Sequence, residues 1–378
     1  MFSRTPIVHF PINLVVEDFW GEFYGFYHDD SNEYNIVGWG NDNNLNDSLQ
    51  ATMTGLIIAD SDEHNFRDFP KLLGIRTEQN LVFRVQGVDC VNSPYDLIQN
   101  VFSRNTGILE TDIMLGKNAI ISGCGSVGSL VALELARAGL GTFVLVDSDT
   151  MAYHNLCRHQ CGIQDVGKFK VKAVKERILQ INPSAQVFTY PNIIEGLEKQ
   201  VFDRFCTSDS IIIGCADNRE GDIYASQISC TYNIPFVSIG LWQRAFAGEI
   251  FYFIPHEMPC YACIFGNTND LMENRVSQNK RHYLGEEDLA KTVFELGISI
   301  DINHVTLIGL KVIIDLLNRH TPNYIPKVLN SLAQFTLVCN TCDPRIGGEQ
   351  AEIFSYPLQV TKSIKVEYSN NCPPCQFL

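Results

Sequence analysis

The stretch "GKNAIISGCGSVGSLVALELARAGLGTFVLVDSD", which ends at Asp149, constrains the fold more than any other part of the chain. An apolar strand from Ala119 to Ser122 runs into Gly123-x-Gly125-x-x-Gly128. A helix with apolar spacing follows, then Gly139 and Gly141 as its stop, and a second strand reaching Asp147. Periodicity that changes from strand to helix and back across glycines predicts a βαβ unit. Such a turn lets backbone approach a phosphate at a helix N-terminus, and an acid about twenty residues on can take a ribose hydroxyl. Gly123, Gly125, Gly128 and Asp147 meet that specification, with Asp149 just beyond. Dinucleotide-dependent dehydrogenases and adenylate-forming enzymes share the pattern, and taken alone it favours a dinucleotide.

The next segment, "HNLCRHQCGIQDVGKFK" from His154 to Lys170, is polar and basic where a dehydrogenase has no evident need of charge. A triphosphate carries about four negative charges that must be neutralised, and Arg158, Lys168 and Lys170 suit that task. On spacing alone a solvated basic loop explains them equally well. Downstream, "KVKAVKERILQINP" reads as an amphipathic helix stopped at Pro183, "QVFTYP" as a strand, and "SIIIGCADN" as a buried parallel strand ending in Asp217. This alternation predicts an α/β fold with a Rossmann-like, doubly wound, mainly parallel sheet, its ligand at the carboxyl ends of the strands. "PFVSIGLWQ" and "AGEIFYFIP" read as further strands, and "DINHVTLIGLKVIIDLLN" as a core helix in which His304 needs no special role.

The chain has 378 residues, 45% of them hydrophobic, enough for two or three domains. Residues 1–100 mix short aromatic and β-branched runs ("EFYGFYH", "NIVGWG", "LVFRVQGVDCV") with the turn cluster "GWGNDNNLND". They predict a small α+β or mostly β domain, preceding a nucleotide-binding domain over 101–378. Its first residues read as an edge strand, because prolines interrupt them, and "SPYDLIQNVFSRN" reads as a helix. Of the net charge of −15, fifteen acids against five bases fall in these hundred residues. That balance excludes nucleic acid as a partner and suits a solvated surface before a docking face. No apolar run approaches the ~20 residues of a bilayer span, and no signal peptide is evident, so a cytoplasmic protein without membrane contact is expected.

Thirteen cysteines include three C-x-x-C pairs. Cys260/Cys263 and Cys372/Cys375 have the form of a tetrahedral structural Zn²⁺ site, stapling the tail back near Pro259. Four thiolates close the coordination sphere and leave no catalytic position. For Cys339/Cys342, packing or turn use comes before alternative ligation or a redox-sensitive thiol site.

Taken together, "GCGSVGS", "VDSD", "NLCRHQ…DVGKFK" and "GCADN" resemble, in order, the motifs of the ThiF/MoeB/HesA family, which activates ubiquitin-like proteins. The resemblance runs from about Ser103 to the C-terminus, and "PCYAC" and "CPPC" are similar to the family's zinc pairs. It implies that Gly123, Gly125 and Gly128 line an ATP site, that Asp147 holds the ribose with Asp149 nearby, and that Asn155, Arg158, Gln160 and Lys170 surround the phosphates. It implies Mg²⁺ on Asp217, a hard cation on one carboxylate plus phosphate oxygens. It further implies a homodimer in which Arg104 reaches the other subunit's ATP site. The implied reaction is adenylation of a protein's C-terminal carboxylate. Chains of this plan occur in bacterial ubiquitin-like conjugation systems, where a conjugating-enzyme partner is expected, and among peptide-adenylating antibiotic enzymes. Two departures stand out. Residues 264–300 hold no cysteine for a thioester, leaving Cys339, Cys342 or Cys157 for that step, and after Asp217-Asn218 the expected arginine position is shifted to Arg219. Arg219 is expected either to substitute for it or to form a surface salt bridge. A nicotinamide-dependent oxidoreductase and a non-enzymatic scaffold remain the competing classes.

Overall fold

A computed structural model describes residues 5–40, 50–66, 72–77, 80–242, 245–266, 297–340, 360–369 and 372. The chain divides into two compact units, Met1–Gly107 with Leu179–Ser184, and Ile108–Ile178 with Ala185–Leu378.

The first unit is built on one mixed sheet. Its elements are β1 (Ile7–Pro11), α1 (Asn13–Val16), β2 (Gly21–His28), β3 (Glu33–Trp39), β4 (Met53–Ala59), β5 (Leu72–Arg76), β6 (Leu81–Val85), β7 (Val88–Asp89), β8 (Val91–Tyr95) and α2 (Leu97–Phe102). The strand order is β7-β6-β5-β4-β2-β3-β1-β8. Two sequence expectations change here. The first strand is not an edge: β1 runs parallel between β3 and β8, with Val8 and Phe10 buried. Pro6 precedes it and Pro11 ends it, so neither interrupts the ladder. The run "LVFRVQGVDCV" folds as a hairpin of β6 and β7. Gln86 and Gly87 take φ of 50° and 75° between paired Val85 and Val88, as a two-residue turn matched to strand twist requires. Finally, Ser93–Tyr95 belong to β8, and the helix starts only after Asp96, whose side chain accepts from the Gln99 amide at 2.8 Å. Pro94 is tolerated because β8 is the edge strand. The cluster "GWGNDNNLND" lies largely outside the described residues.

The second unit carries α3 (Thr111–Leu115), β9 (Asn118–Ser122), α4 (Ser126–Arg137), β10 (Thr142–Val146), α5 (Lys170–Ile181, all but its last three residues), β11 (Gln186–Tyr190), α6 (Lys199–Phe205), β12 (Ser210–Gly214) and α7 (Arg219–Tyr232). These are followed by β13 (Phe236–Leu241), β14 (Ala247–Phe253), α8 (Tyr261–Phe265), α9 (Ser299–Asn318), β15 (Phe335–Cys339) and β16 (Val360–Ile364). The sheet order is β11-β10-β9-β12-β13-β14-β15-β16. Strands β11 to β13 are mutually parallel, as expected; β14, β15 and β16 add on antiparallel. Continuous apolar strands such as "IIIG" are buried on both faces, the usual consequence of helices covering a parallel sheet. The core helix α9 lies close on β13, because a Cβ on Gly309 would come within 2.5 Å of Ile239 Cδ1. Its buried Val305, Leu310, Ile313 and Leu316 each contribute about 1.5–3 kcal/mol by leaving water. The chain passes from β9 through β10 to β11 on one side, then returns to β12 on the other. A crevice must open at that reversal, at the carboxyl ends of the strands.

Candidate active site

The crevice holds a cavity of about 310 Å³. One wall is the turn between β9 and α4. Gly123 has φ +93°, and a Cβ there would lie 2.7 Å from the Ala216 amide nitrogen; one on Gly128 would lie 1.8 Å from the Gly123 carbonyl oxygen. These two glycines are needed so that turn, helix and the β12 end can close together. Gly125 differs: a Cβ there meets nothing within 4 Å, and the residue lines the cavity at the N-terminus of α4. The open space at Gly125, with the unpaired amides of a helix start behind it, is a cradle for an anion.

Asp147, just past β10, fixes this turn from the side. Its Oδ2 accepts from the Cys124 amide at 2.7 Å and its Oδ1 from the Asp149 amide at 2.8 Å. Burial raises its carboxyl above the usual range, against the pull of Lys170 and of the two amide bonds.

The polar segment after β10 is sorted by its own folding. An antiparallel bridge, Thr150 to Phe169, closes its base. Lys168 turns to Asp165 and Glu176, at 3.2 and 2.7 Å, and is not among the cavity residues, which removes it from the phosphate-neutralising set. Asn155, Arg158 and Lys170 line the cavity. Asn155 Oδ1 accepts from the Ala152 amide at 2.9 Å, which fixes the side-chain orientation and leaves its NH₂ as the remaining donor. Lys170 is largely buried and ion-paired to the exposed Asp149 at 2.7 Å. Gln160 is half-buried, its backbone amide donating to Ser129 Oγ at 3.4 Å, and it does not line the cavity.

His159 was not singled out from sequence, yet it clamps this segment to the glycine turn. Buried, it donates from Nε2 to the Cys124 carbonyl at 2.7 Å and accepts at Nδ1 from the Cys161 amide at 3.1 Å. Both roles require the neutral ring, and burial pushes its pKa down to about 4. A histidine inside "CRHQC" offers no periodic signal that could have announced it.

The opposite wall begins with Asp217 and Asn218, after β12. Asp217 is exposed, lines the cavity and has no ion pair or hydrogen bond among the described residues, so its carboxylate fits a hard cation. Asn218 caps α7, accepting from the Glu220 amide at 2.9 Å. Arg219 follows neither expectation. It turns away from the cavity into a buried ion pair with Glu249, at 3.0 Å, and donates to the Tyr261 hydroxyl at 3.2 Å. Asp222, one turn further along α7, is buried and accepts from Ser238 Oγ at 2.6 Å. Leu241, Trp242, Ala245 and Ile302 complete this wall, and Asn192 to Glu195 add to the rim beyond β11. Arg104 is exposed in the first unit and is not among the lining residues.

Beneath α8, the sulfurs of Cys260, Cys263 and Cys372 lie within 4.8 Å of one another. Three converging thiols suit a soft, tetrahedral cation. Cys375, the expected fourth ligand, and Cys342 lie outside the described residues. Cys339 is buried in β15, in keeping with a packing role, and Cys161 is sealed by burial, which pushes its thiol up to about 12. Cys157 is exposed, on the loop that carries Asn155 and Arg158.

The ThiF family model matches residues 109–344, well over half of the chain. Ubiquitin-like modifier-activating enzyme 5 of Caenorhabditis elegans is 27% identical over 184 residues, 46% of this chain and 43% of that protein. Adenylyltransferase and sulfurtransferase UBA4 of Meyerozyma guilliermondii is 29% identical over 161 residues, 42% of this chain and 37% of that protein. The chain thus spans less than half the length of either relative. Among solved structures, E. coli MccB with ATP shares the fold at a TM-score of 0.52 and 18% identity, over 73% of this chain and 74% of that one. E. coli MccB with MccA-N7isoASN gives 0.50 and 18%, over 70% and 69%.

Proposed function

Because the chain belongs to the ThiF family, we propose that it uses ATP and Mg²⁺ to adenylate the C-terminal carboxylate of a ubiquitin-like protein, releasing pyrophosphate. The observation that carries this reading is the open cradle at Gly125 sharing one cavity with Arg158, Lys170 and Asp217. A dinucleotide needs a phosphate cradle and a ribose acid; a triphosphate under attack also needs cations. The carboxylate oxygen forms a bond to the α-phosphorus as the bond from that phosphorus to the β-phosphate's bridging oxygen breaks. The substrate carboxylate is already ionised at neutral pH, so no general base is called for. The residues' work is electrostatic and positional. Asp147, held against the glycine turn, keeps lone pairs for ribose hydroxyls. Arg158 and the Asn155 amide answer phosphate oxygens, and Lys170 joins them by exchanging Asp149 for phosphate. Mg²⁺, held by Asp217 and phosphate oxygens, supplies charge shielding of the leaving pyrophosphate.

The remaining parts of the reading are a homodimer with Arg104 serving the partner's cavity, structural Zn²⁺ on Cys260, Cys263, Cys372 and Cys375, and action in the cytoplasm. The acidic first unit serves as the docking domain for the substrate or a conjugating-enzyme partner. If the acyl group passes on to a thiol, Cys157 is the exposed one of the two candidates among the described residues, since Cys339 is sealed in β15. The alternative, adenylation of a peptide in antibiotic biosynthesis, is favoured by the shared fold with the MccB structures bound to ATP or MccA. ATP–pyrophosphate exchange with purified ubiquitin-like proteins and with candidate peptides, followed by a non-reducing gel, tests these readings. Exchange stimulated by a ubiquitin-like protein is expected. NAD binding without any exchange would overturn adenylation altogether.

A further inference from the structure

The sheet order puts β10 and β11 on one side of β9, and β12 and β13 on the other. The cavity therefore has two lobes, with the glycine turn between them. Asp147 and Ile193 mark the first; Leu241, Trp242, Ala245 and Ile302 mark the second. Resting on the adenylation reading, the nucleoside takes the lobe with the ribose acid, and the phosphates take the helix start. The second lobe is left for the acyl substrate.

Trp242 is the largest side chain among the described residues of that lobe, and it is held from behind. Its indole N–H donates to Glu249 Oε2 at 3.3 Å. Glu249, only 2% exposed, has its charge met by Arg219 at 3.0 and 3.2 Å. Arg219 in turn donates to the Tyr261 hydroxyl and lies 4.1 Å over the Phe265 ring. The backbone is pinned as well. The Trp242 amide donates to the Ala247 carbonyl and the Ala245 amide to the Trp242 carbonyl, both at 2.9 Å, while Asn340 donates to the Ala245 carbonyl at 3.1 Å. Ala245 is kept at φ +54°, a conformation that a non-glycine residue adopts only when its surroundings impose it. Among the described residues this wall is apolar, and Glu249 behind it is already paired.

We propose that Trp242 is the specificity-determining residue for the terminal residue of the acyl substrate, selecting an uncharged side chain over a charged one, and that Glu249 is its positioning residue. A charged side chain placed against this wall loses water and gains no counter-charge from the described residues of the lobe. A rigid apolar pocket discriminates even small changes by about 10–200-fold.

The test titrates the full chain with 5′-sulfamoyladenosine and with its N-acetylalanyl, N-acetylaspartyl and N-acetyllysyl derivatives, by calorimetry. The alanyl derivative is expected to bind at least about tenfold tighter than the aspartyl and lysyl ones. Trp242→Ala is expected to reduce that ratio to about twofold or less, with Trp242→Phe between. Glu249→Gln, which keeps an acceptor for the indole, retains most of the ratio, while Glu249→Ala loses it. A merely structural Glu249 would instead move all affinities together. Derivatives that bind within twofold of one another, or a ratio unchanged in both Trp242 variants, would overturn the proposal while leaving adenylation standing. No binding of the parent nucleoside would overturn both.

Discussion

The two walls of the cavity are built by opposite strategies. The β9–α4 wall is local: one turn, a helix start and the following polar loop, joined by backbone amides and His159. The β13–β14 wall is assembled from Arg219, Trp242, Glu249 and Tyr261, which come from four separate elements. A local wall is held by geometry that any chain with those glycines can adopt. A non-local wall stands only if every partner arrives, so the two should fail differently when cut.

The deepest cut is to the non-local wall. Glu249→Leu strands the Arg219 guanidinium in a buried site, and is expected to cost about 3–5 kcal/mol in urea unfolding. A loss under 1 kcal/mol would show that the pair is not integral to that wall. Next comes chemistry without structure: Arg158→Ala and Asp217→Ala should each lower pyrophosphate exchange by about 10²–10³-fold. Both should leave stability within about 0.5 kcal/mol, as surface changes do. Retained exchange in both would show that these two side chains do not serve the adenylation step.

The local wall has its own weakness, to acid. His159 stays neutral down to about 4 in the folded chain, whereas the unfolded chain protonates it near 6.5. The unfolded state thus binds the proton first. Stability from this site is whole above pH 6.5 and is lost as pH falls toward 4, by about 3 kcal/mol at most. Denaturant midpoints measured from pH 7 to 4 should fall less steeply in His159→Gln; parallel slopes would show that the ring does not clamp the turn. The smallest structural effect belongs to Gly125→Ala, at about 1 kcal/mol or less, since its Cβ meets open space at a helix N-cap. Its effect should appear in the KM for ATP. An unchanged KM would mean that no phosphate occupies the cradle.

What could be read from sequence followed the same division. The βαβ unit, the parallel strands and the helix over Ser299–Asn318 were legible, because period and glycine placement are local signals. Asn155, Arg158, Lys170 and Asp217 were grouped by the family resemblance, and the four line one cavity. Gln160 and Lys168 carry the same chemical types in the same loop. Only folding shows that Gln160 stays out of the cavity lining and that Lys168 turns to Asp165 and Glu176. In the first unit, β1 was misread as an edge because a proline at a strand end and one inside an edge strand look alike in sequence.

The sequence by itself determined the glycine turn, the acid that follows it and the converging cysteines, since each depends on residues whose type and spacing are local signals. The tertiary structure decided which of the charged side chains face the cavity, and it built the wall around Trp242. Arg219 and Glu249 are 30 residues apart, and a buried pair of opposite charges is set by which strand packs beside which helix, not by any local period.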